Sequence, residues 1–174
     1  MALDAKSYAA IEMLRDGREL TIRALKPDDR TDLLAAVGKM SPQSLQRRFF
    51  SAKRHFSEEE IAYFGEVDFV RHVALVAEAR EEGRDLIVGG ARYIVVRPEA
   101  AEIAFAVIDQ YQGKGIGASL MRHLVKLARD AGLKELFAEV LSENVAMMSV
   151  FEKSGLSPKV KHVGQVLHVT FELS

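Results

Sequence analysis

Seven consecutive residues, Gln112, Gly113, Lys114, Gly115, Ile116, Gly117 and Ala118, carry the densest chemical signal in the chain. They lie between an apolar stretch at 101–108 and a segment of helical periodicity at 115–131, so a helix begins inside the run. Amides at a helix start lack internal partners and carry the positive end of the helix dipole, which suits a diphosphate. Glycines at 113, 115 and 117 let the backbone approach phosphate oxygens with no side chain in the way, and Lys114 adds a charge at the rim. A P-loop would end in Gly-Lys-Ser/Thr, whereas here Ala118 and Ser119 follow Gly117. Gly113-x-Gly115-x-x-Ala118 matches a loose dinucleotide fingerprint. However, polar residues separate it from its strand, and the next strand carries Glu139 in its middle rather than an acid at its end. A turn with convenient glycines is the plainer alternative.

A second candidate group precedes the loop. Strict alternation along 101–108 places Glu102, Ala104 and Ala106 on one face. The two alanines leave room and little polarity beside the carboxylate. Burial of that kind raises a carboxyl pKa toward neutrality and makes a general base. A strand-end glutamate facing water is the competing reading, and Glu139 is the second candidate base.

The elements that must hold these groups read as follows. Residues 12–25 form a hairpin about Asp16-Gly17, a two-residue turn signal. Helices are expected over 27–40, from Ser41-Pro42 through Phe49-Phe50, and from Ser57, whose Ser-x-x-Glu pattern is a capping box. Val, Ile and Ala enrichment marks strands at 72–79, 86–96 and 101–108. Ile116, Leu120, Leu124, Leu127 and Ala131 form one apolar helical stripe, ended by Gly132. A strand at 136–141, a helix at 144–153 and a hairpin at 160–171 about Gly164 complete the chain. The order implies a mixed α/β layer structure with a mostly antiparallel sheet. His162 and His168 fall where they could oppose each other across the last hairpin, with no role assigned.

The 174 residues fit one domain, 1–174, with no repeat or linker dividing it. A composition 48% hydrophobic and 28% charged suits a globular protein. Lys plus Arg number 24 and Asp plus Glu 25, so no general nucleic-acid footprint exists. There is no cysteine, which excludes disulfides, thiolate metal sites and a Cys nucleophile. The histidines show no metal-ligand spacing. No leader-like segment or span-length apolar run is present, so no membrane partner and a cytoplasmic location are expected. Arg47, Arg48, Lys53, Arg54 and His55 form a basic cluster, either a solvated face or a contact for phosphate or an acidic surface.

Gln112-x-x-Gly115-x-Gly117 after a strand resembles the acetyl-CoA signature of the GCN5-related N-acetyltransferase (GNAT) superfamily, Gln/Arg-x-x-Gly-x-Gly/Ala. The segment from Asn144 through Phe151-Glu152-Lys153 to Gly155-Leu156 resembles that family's second motif, at fitting spacing. The segments beginning Met40-Ser-Pro-Gln and Val67-Asp-Phe-Val are similar to the acetyltransferase domain of bacterial protein lysine acetyltransferases. The resemblance implies a GNAT-like sheet with helices on both faces and acetyl-CoA as cofactor. It implies amine acetylation by direct attack in a ternary complex, with Glu102 as base and a protein lysine as the favoured acceptor. A small-molecule amine, or a silent acyl-CoA sensor, is the alternative. It also implies that the backbone of Ala106 and Val107 pairs with the pantetheine arm, a core strand being the plain alternative. Asn144 then bonds the cofactor or caps its helix, and Phe151 lines the cofactor slot or only packs inside. Many family members carry a Tyr acid where this chain has Phe151, so the thiolate leaves unaided or another group such as Tyr111 serves. Either a monomer or a homodimer is compatible with these features.

Overall fold

The computed structural model describes residues 5–29, 31–32 and 67–173. Its strands are β1 (Ala9–Met13), β2 (Glu19–Ala24), β3 (His72–Glu81), β4 (Arg84–Arg97), β5 (Ala100–Val107), β6 (Glu135–Leu141), β7 (Lys159–Val163) and β8 (Val166–Glu172). Among the described residues, the helices α1 (Ile116–Asp130) and α2 (Val145–Glu152) interrupt them. The strands form one eight-stranded sheet in the order β1-β2-β3-β4-β5-β6-β8-β7. Every neighbouring pair is antiparallel except β5 with β6, which α1 connects as a crossover. The mixed, mostly antiparallel sheet expected from the sequence is present.

Period-two burial sets the register of β2, where Leu20, Ile22 and Ala24 point inward. On α1 the apolar stripe buries Ile116, Leu120, Leu124 and Leu127, but Ala131 is exposed. The helix has already ended there. Gly132 turns left-handed at φ +85°, and Leu133 N–H bonds Ala128 O at 3.0 Å, closing the helix and continuing the core with Leu133. Phe105 of β5 meets Phe151 of α2 edge-on at 6.0 Å, and Ile116 of α1 lies over Gly89 of β4, where a Cβ would stand 3.4 Å from it. Register makes Gly89 the partner of Val107, on the face shared by Phe105 and Ile103, so both helices cover that one face. Leu25, Ala74, Val76 and Ile87 form a second buried cluster. Beyond the short 3₁₀ turn Pro27–Asp29 and the helical residues 31–32, the helices expected over 27–40, 41–50 and from 57 lie outside the described residues, as does the basic cluster at 47–55.

Two local expectations change. The first turn is a three-residue loop, Arg15-Asp16-Gly17. Leu14 N–H donates to Arg18 O (2.8 Å), and Gly17 at φ +87° supplies the left-handed bulge residue that such loops need. The histidines of the last hairpin are not opposed either. Register pairs His168 with Lys161 and His162 with Leu167, and His168 instead lies across from Glu139 of β6, Nδ1 to carboxylate 3.4 Å.

His72, at the start of β3, is 8% exposed. Burial, then the nearby Arg92 charge, hold its pKa down to about 4, with Asp68 opposing them. The unfolded histidine takes up a proton below about pH 6.5 that the folded one refuses until about pH 4. Stability therefore falls as pH drops through that window. Urea midpoints of His72→Gln should fall less between pH 6.5 and 4 than those of the unaltered protein.

Candidate cofactor groove and acyl-transfer site

The site begins where a ladder stops. β5 and β6 pair at Ala100 with Glu135, Ala101 with Leu136 and Glu102 with Phe137, and no further. Residues 103–107 of β5 continue on β4, and β6 continues on β8 to Leu141, so the two strands part company beyond Glu102. A groove of about 680 Å³ occupies the divergence, walled by β5, β6, α2 and the start of α1. Of the sequence-identified residues, Glu102, Ala106, Val107, Gln112, Gly113, Gly115, Ile116, Gly117, Ala118, Asn144 and Phe151 line it, as do the alternative candidates Glu139 and Tyr111; Lys114 does not.

Backbone direction separates Ala106 from Val107. Ile108 N–H donates to Val88 O, and register runs unbroken from Gly89–Val107 to Val95–Ala101. Alternation then turns the peptide groups of Ala106 toward β4 and those of Phe105 and Val107 toward the gap. Val107 O already accepts Gln112 Nε2 at 3.0 Å. Of the two residues expected to pair with a pantetheine arm, Val107 thus presents its backbone to the groove, while Ala106 contributes only its methyl.

The glycines divide their labour. Gly113 (φ +79°) and Gly115 (φ +88°) are left-handed, and an added Cβ at either would meet nothing within 4 Å. They bend the chain and leave an open cradle. Gly115 is the N-cap of α1, no side chain caps that end, and the first amide bonded back is Ser119 N–H to Gly115 O at 3.0 Å. The amides of Ile116, Gly117 and Ala118 therefore lie in the first turn, without intrahelical partners. Gly117 serves another purpose: a Cβ there would stand 3.2 Å from Val150 Cγ2, so it lets α1 and α2 approach. Lys114 is turned to the hairpin tip, with Nζ 3.7 Å from Asp16.

Other side chains are committed to structure. Asn144 Oδ1 accepts Met147 N–H at 3.1 Å, so it caps α2. Phe151 is 1% exposed, packed on Phe105 and, at 5.1 Å, on Phe171. The Tyr111 hydroxyl donates to Glu81 and accepts Arg18 Nη1 at 2.9 Å. Burial, then Glu81, raise its pKa, which argues against Tyr111 as the acid. Glu102 is exposed, with half-buried Ala104 and Ala106 beside it. The enclosed setting expected for this carboxylate is not built by the described residues.

The β1–β2 hairpin fastens the loop from outside. Glu12 of β1 accepts from Ser119 and Arg122 of α1, and from His123 Nε2 at 2.7 Å, while Tyr8 bonds His123 Nδ1. Burial raises the Glu12 pKa, but the Ser119, His123 and Arg122 contacts outweigh it and hold the carboxyl ionised to lower pH. Arg18 to Tyr111 and Asp16 to Lys114 add two ties, all across roughly a hundred residues of chain. The sequence reading missed this clamp, and it missed Arg15, which lines the groove beside the loop. The only sequence signal was a turn motif, which marks a tip and not its neighbour.

The profile of the GNAT acetyltransferase family matches residues 41–156, two thirds of the chain. The chain belongs to the GNAT acetyltransferase family. An acetyltransferase of Pseudomonas aeruginosa is 33% identical over 138 residues, 79% of this chain and 74% of that protein. Acetyltransferase Pat of Mycolicibacterium smegmatis is 32% identical over 144 residues, 82% of this chain but 42% of that longer protein. The crystal structure of the GNAT domain of S. lividans PAT superposes with TM-score 0.85 at 30% identity, covering 95% of this chain and 97% of that domain. This GNAT protein is an acetyl-CoA-dependent N-acetyltransferase. Among its described residues, no helix is long and apolar enough to cross a membrane.

Gly115→Ala should weaken acetyl-CoA binding in calorimetry and lower stability by roughly 1–2 kcal/mol, the cost of a left-handed non-glycine residue. Gly117→Ala, which meets only the end of the Val150 side chain, should leave acetyl-CoA affinity within about twofold, a difference under 1 kcal/mol.

Proposed function

We propose that this acetyltransferase acts on a protein lysine, with Glu102 as general base and attack on acetyl-CoA in a ternary complex. The observation that carries the reading is the place of Glu102: its pair with Phe137 is the last rung before β5 and β6 separate. The glycine loop lies at the other end of β5. At ~3.3 Å per residue, the stretch from Glu102 to Val107 is roughly 17 Å long. An extended pantetheine arm spans a distance of that order between its thioester and its diphosphate. With the diphosphate on the first-turn amides of α1, the thioester comes to rest near Glu102.

A lysine ammonium has a pKa near 10.4 and must lose a proton before it attacks. Glu102 takes that proton, the amine adds to the thioester carbonyl, and the C–S bond breaks to release the thiolate of coenzyme A. Phe151 stands where many members of the family carry a tyrosine acid, and the Tyr111 hydroxyl is engaged as a hydrogen-bond donor to Glu81. A thiolate with a pKa near 8.5 leaves without an acid. The chain has no cysteine, so an acetyl-cysteine intermediate has no residue to form on. Glu139, the second candidate base, faces His168 across the β6–β8 ladder and is the weaker choice. Similarity to Pat proteins over most of the chain supports a protein acceptor, as does the exposure of Glu102, which a lysine on a protein surface can reach.

Glu102→Gln should lower kcat about 10²-fold or more, the usual range for a general base, with acetyl-CoA affinity unchanged. Incubation with radiolabelled acetyl-CoA and a cell extract should put label in the protein fraction on lysine side chains. Label confined to small amines would reject the protein acceptor, and undiminished turnover in Glu102→Gln would reject the base.

A further inference from the structure

We propose that Arg15, at the tip of the β1–β2 hairpin, is a ligand of the 3′-phosphate of acetyl-CoA and makes the enzyme discriminate against the dephospho form. This rests on reading the groove as the acetyl-CoA site. The cofactor carries two kinds of phosphate, a diphosphate between pantetheine and ribose and a monoester on that ribose. The first-turn amides of α1 serve the diphosphate and are directed at one place. The monoester is a second, separate dianion with three terminal oxygens. A guanidinium fork matches such a group bidentately, where an ammonium offers only a point charge.

Charge bookkeeping around the glycine loop singles out one residue. Asp16 lies 3.6 Å from Arg18 and 3.7 Å from Lys114, so it occupies both cations. Arg18 also reaches Glu81 at 3.8 Å and donates to Tyr111. Arg15 is exposed, lines the groove alongside Gln112 and Gly113, and has no carboxylate partner among the described residues. Its carrier is preorganised. The three-residue loop is set by Gly17, Asp16 Oδ1 accepts Arg18 N–H at 3.0 Å, and Glu12 pins the hairpin to α1. An arginine on such a tip gives up little freedom of its carrier when it binds. Lys153, at the end of α2, is the other groove-lining cation without a carboxylate partner among the described residues, and it is the natural control.

The test is calorimetric titration of acetyl-CoA and acetyl-dephospho-CoA into the unaltered enzyme, Arg15→Ala, Arg15→Lys and Lys153→Ala. The unaltered enzyme should favour acetyl-CoA by about tenfold, the size of one charge-assisted phosphate contact at an open rim. Arg15→Ala should lose that factor for acetyl-CoA alone and bind the dephospho form as before. Arg15→Lys should keep part of it, and the preference should shrink in high salt. Equal weakening toward both ligands, no weakening, or loss of discrimination only in Lys153→Ala would each overturn the assignment. Ala106→Trp, which fills the groove, separates the two levels. If it abolishes binding of both ligands while Arg15→Ala keeps full discrimination, Arg15 alone is wrong. If acetyl-CoA still binds Ala106→Trp, the groove reading falls and Arg15 with it.

Discussion

The architecture depends on one interrupted ladder. Among the described residues β5 and β6 are the only parallel neighbours in the sheet, and they share three rungs before diverging. A full ladder would leave no groove, since every gap-facing peptide would be satisfied by the neighbouring strand. Both strands stay ordered through the divergence because each keeps its other partner: β4 for β5, and β8 for β6. The two halves of the sheet thus hold in place an edge of β5 that has no strand partner beyond Glu102.

The same divergence sets the two ends of the groove along β5. At one end Glu102 is the last residue of β5 paired with β6. At the other, the chain leaves Val107 through a 3₁₀ turn, bends at Gly113 and Gly115, and enters α1 with its first amides free of the helix. A helix start is a useful anion site only if its direction is fixed. Direction comes from beneath, through Ile116 packed over Gly89, and from outside, through Glu12 holding Ser119, Arg122 and His123. Gly117 completes the arrangement by letting α2 close against α1 and wall the groove.

Most of the elements were legible because their signals are local. Period-two alternation around 101–107, the stripe of Ile116, Leu120, Leu124 and Leu127, and Gly132 at a helix end each fall within a few residues, and the structure reproduces them nearly at the expected bounds. Departures arise where a local pattern has more than one geometric solution. Asp16-Gly17 fits a two-residue turn or the end of a three-residue one, and only strand register chooses between them. His162 and His168 illustrate the same point, since a hairpin's register cannot be counted from its glycine alone.

The sequence by itself determined the family and the cofactor, and it placed the glycine loop at the start of a helix with free amides, because short-range order is enough to start such a helix after a strand. Tertiary structure alone decided that Val107 rather than Ala106 turns its peptide to the gap, that Glu102 is exposed at the groove, and that Asn144 caps α2 and Phe151 packs in the core while both also line the groove. It also decided that Arg15 lines the same groove as a loop nearly a hundred residues further along. Such contacts are set by how the strands are ordered in the sheet. That order is a property of the whole packed chain, which no stretch of residues encodes alone.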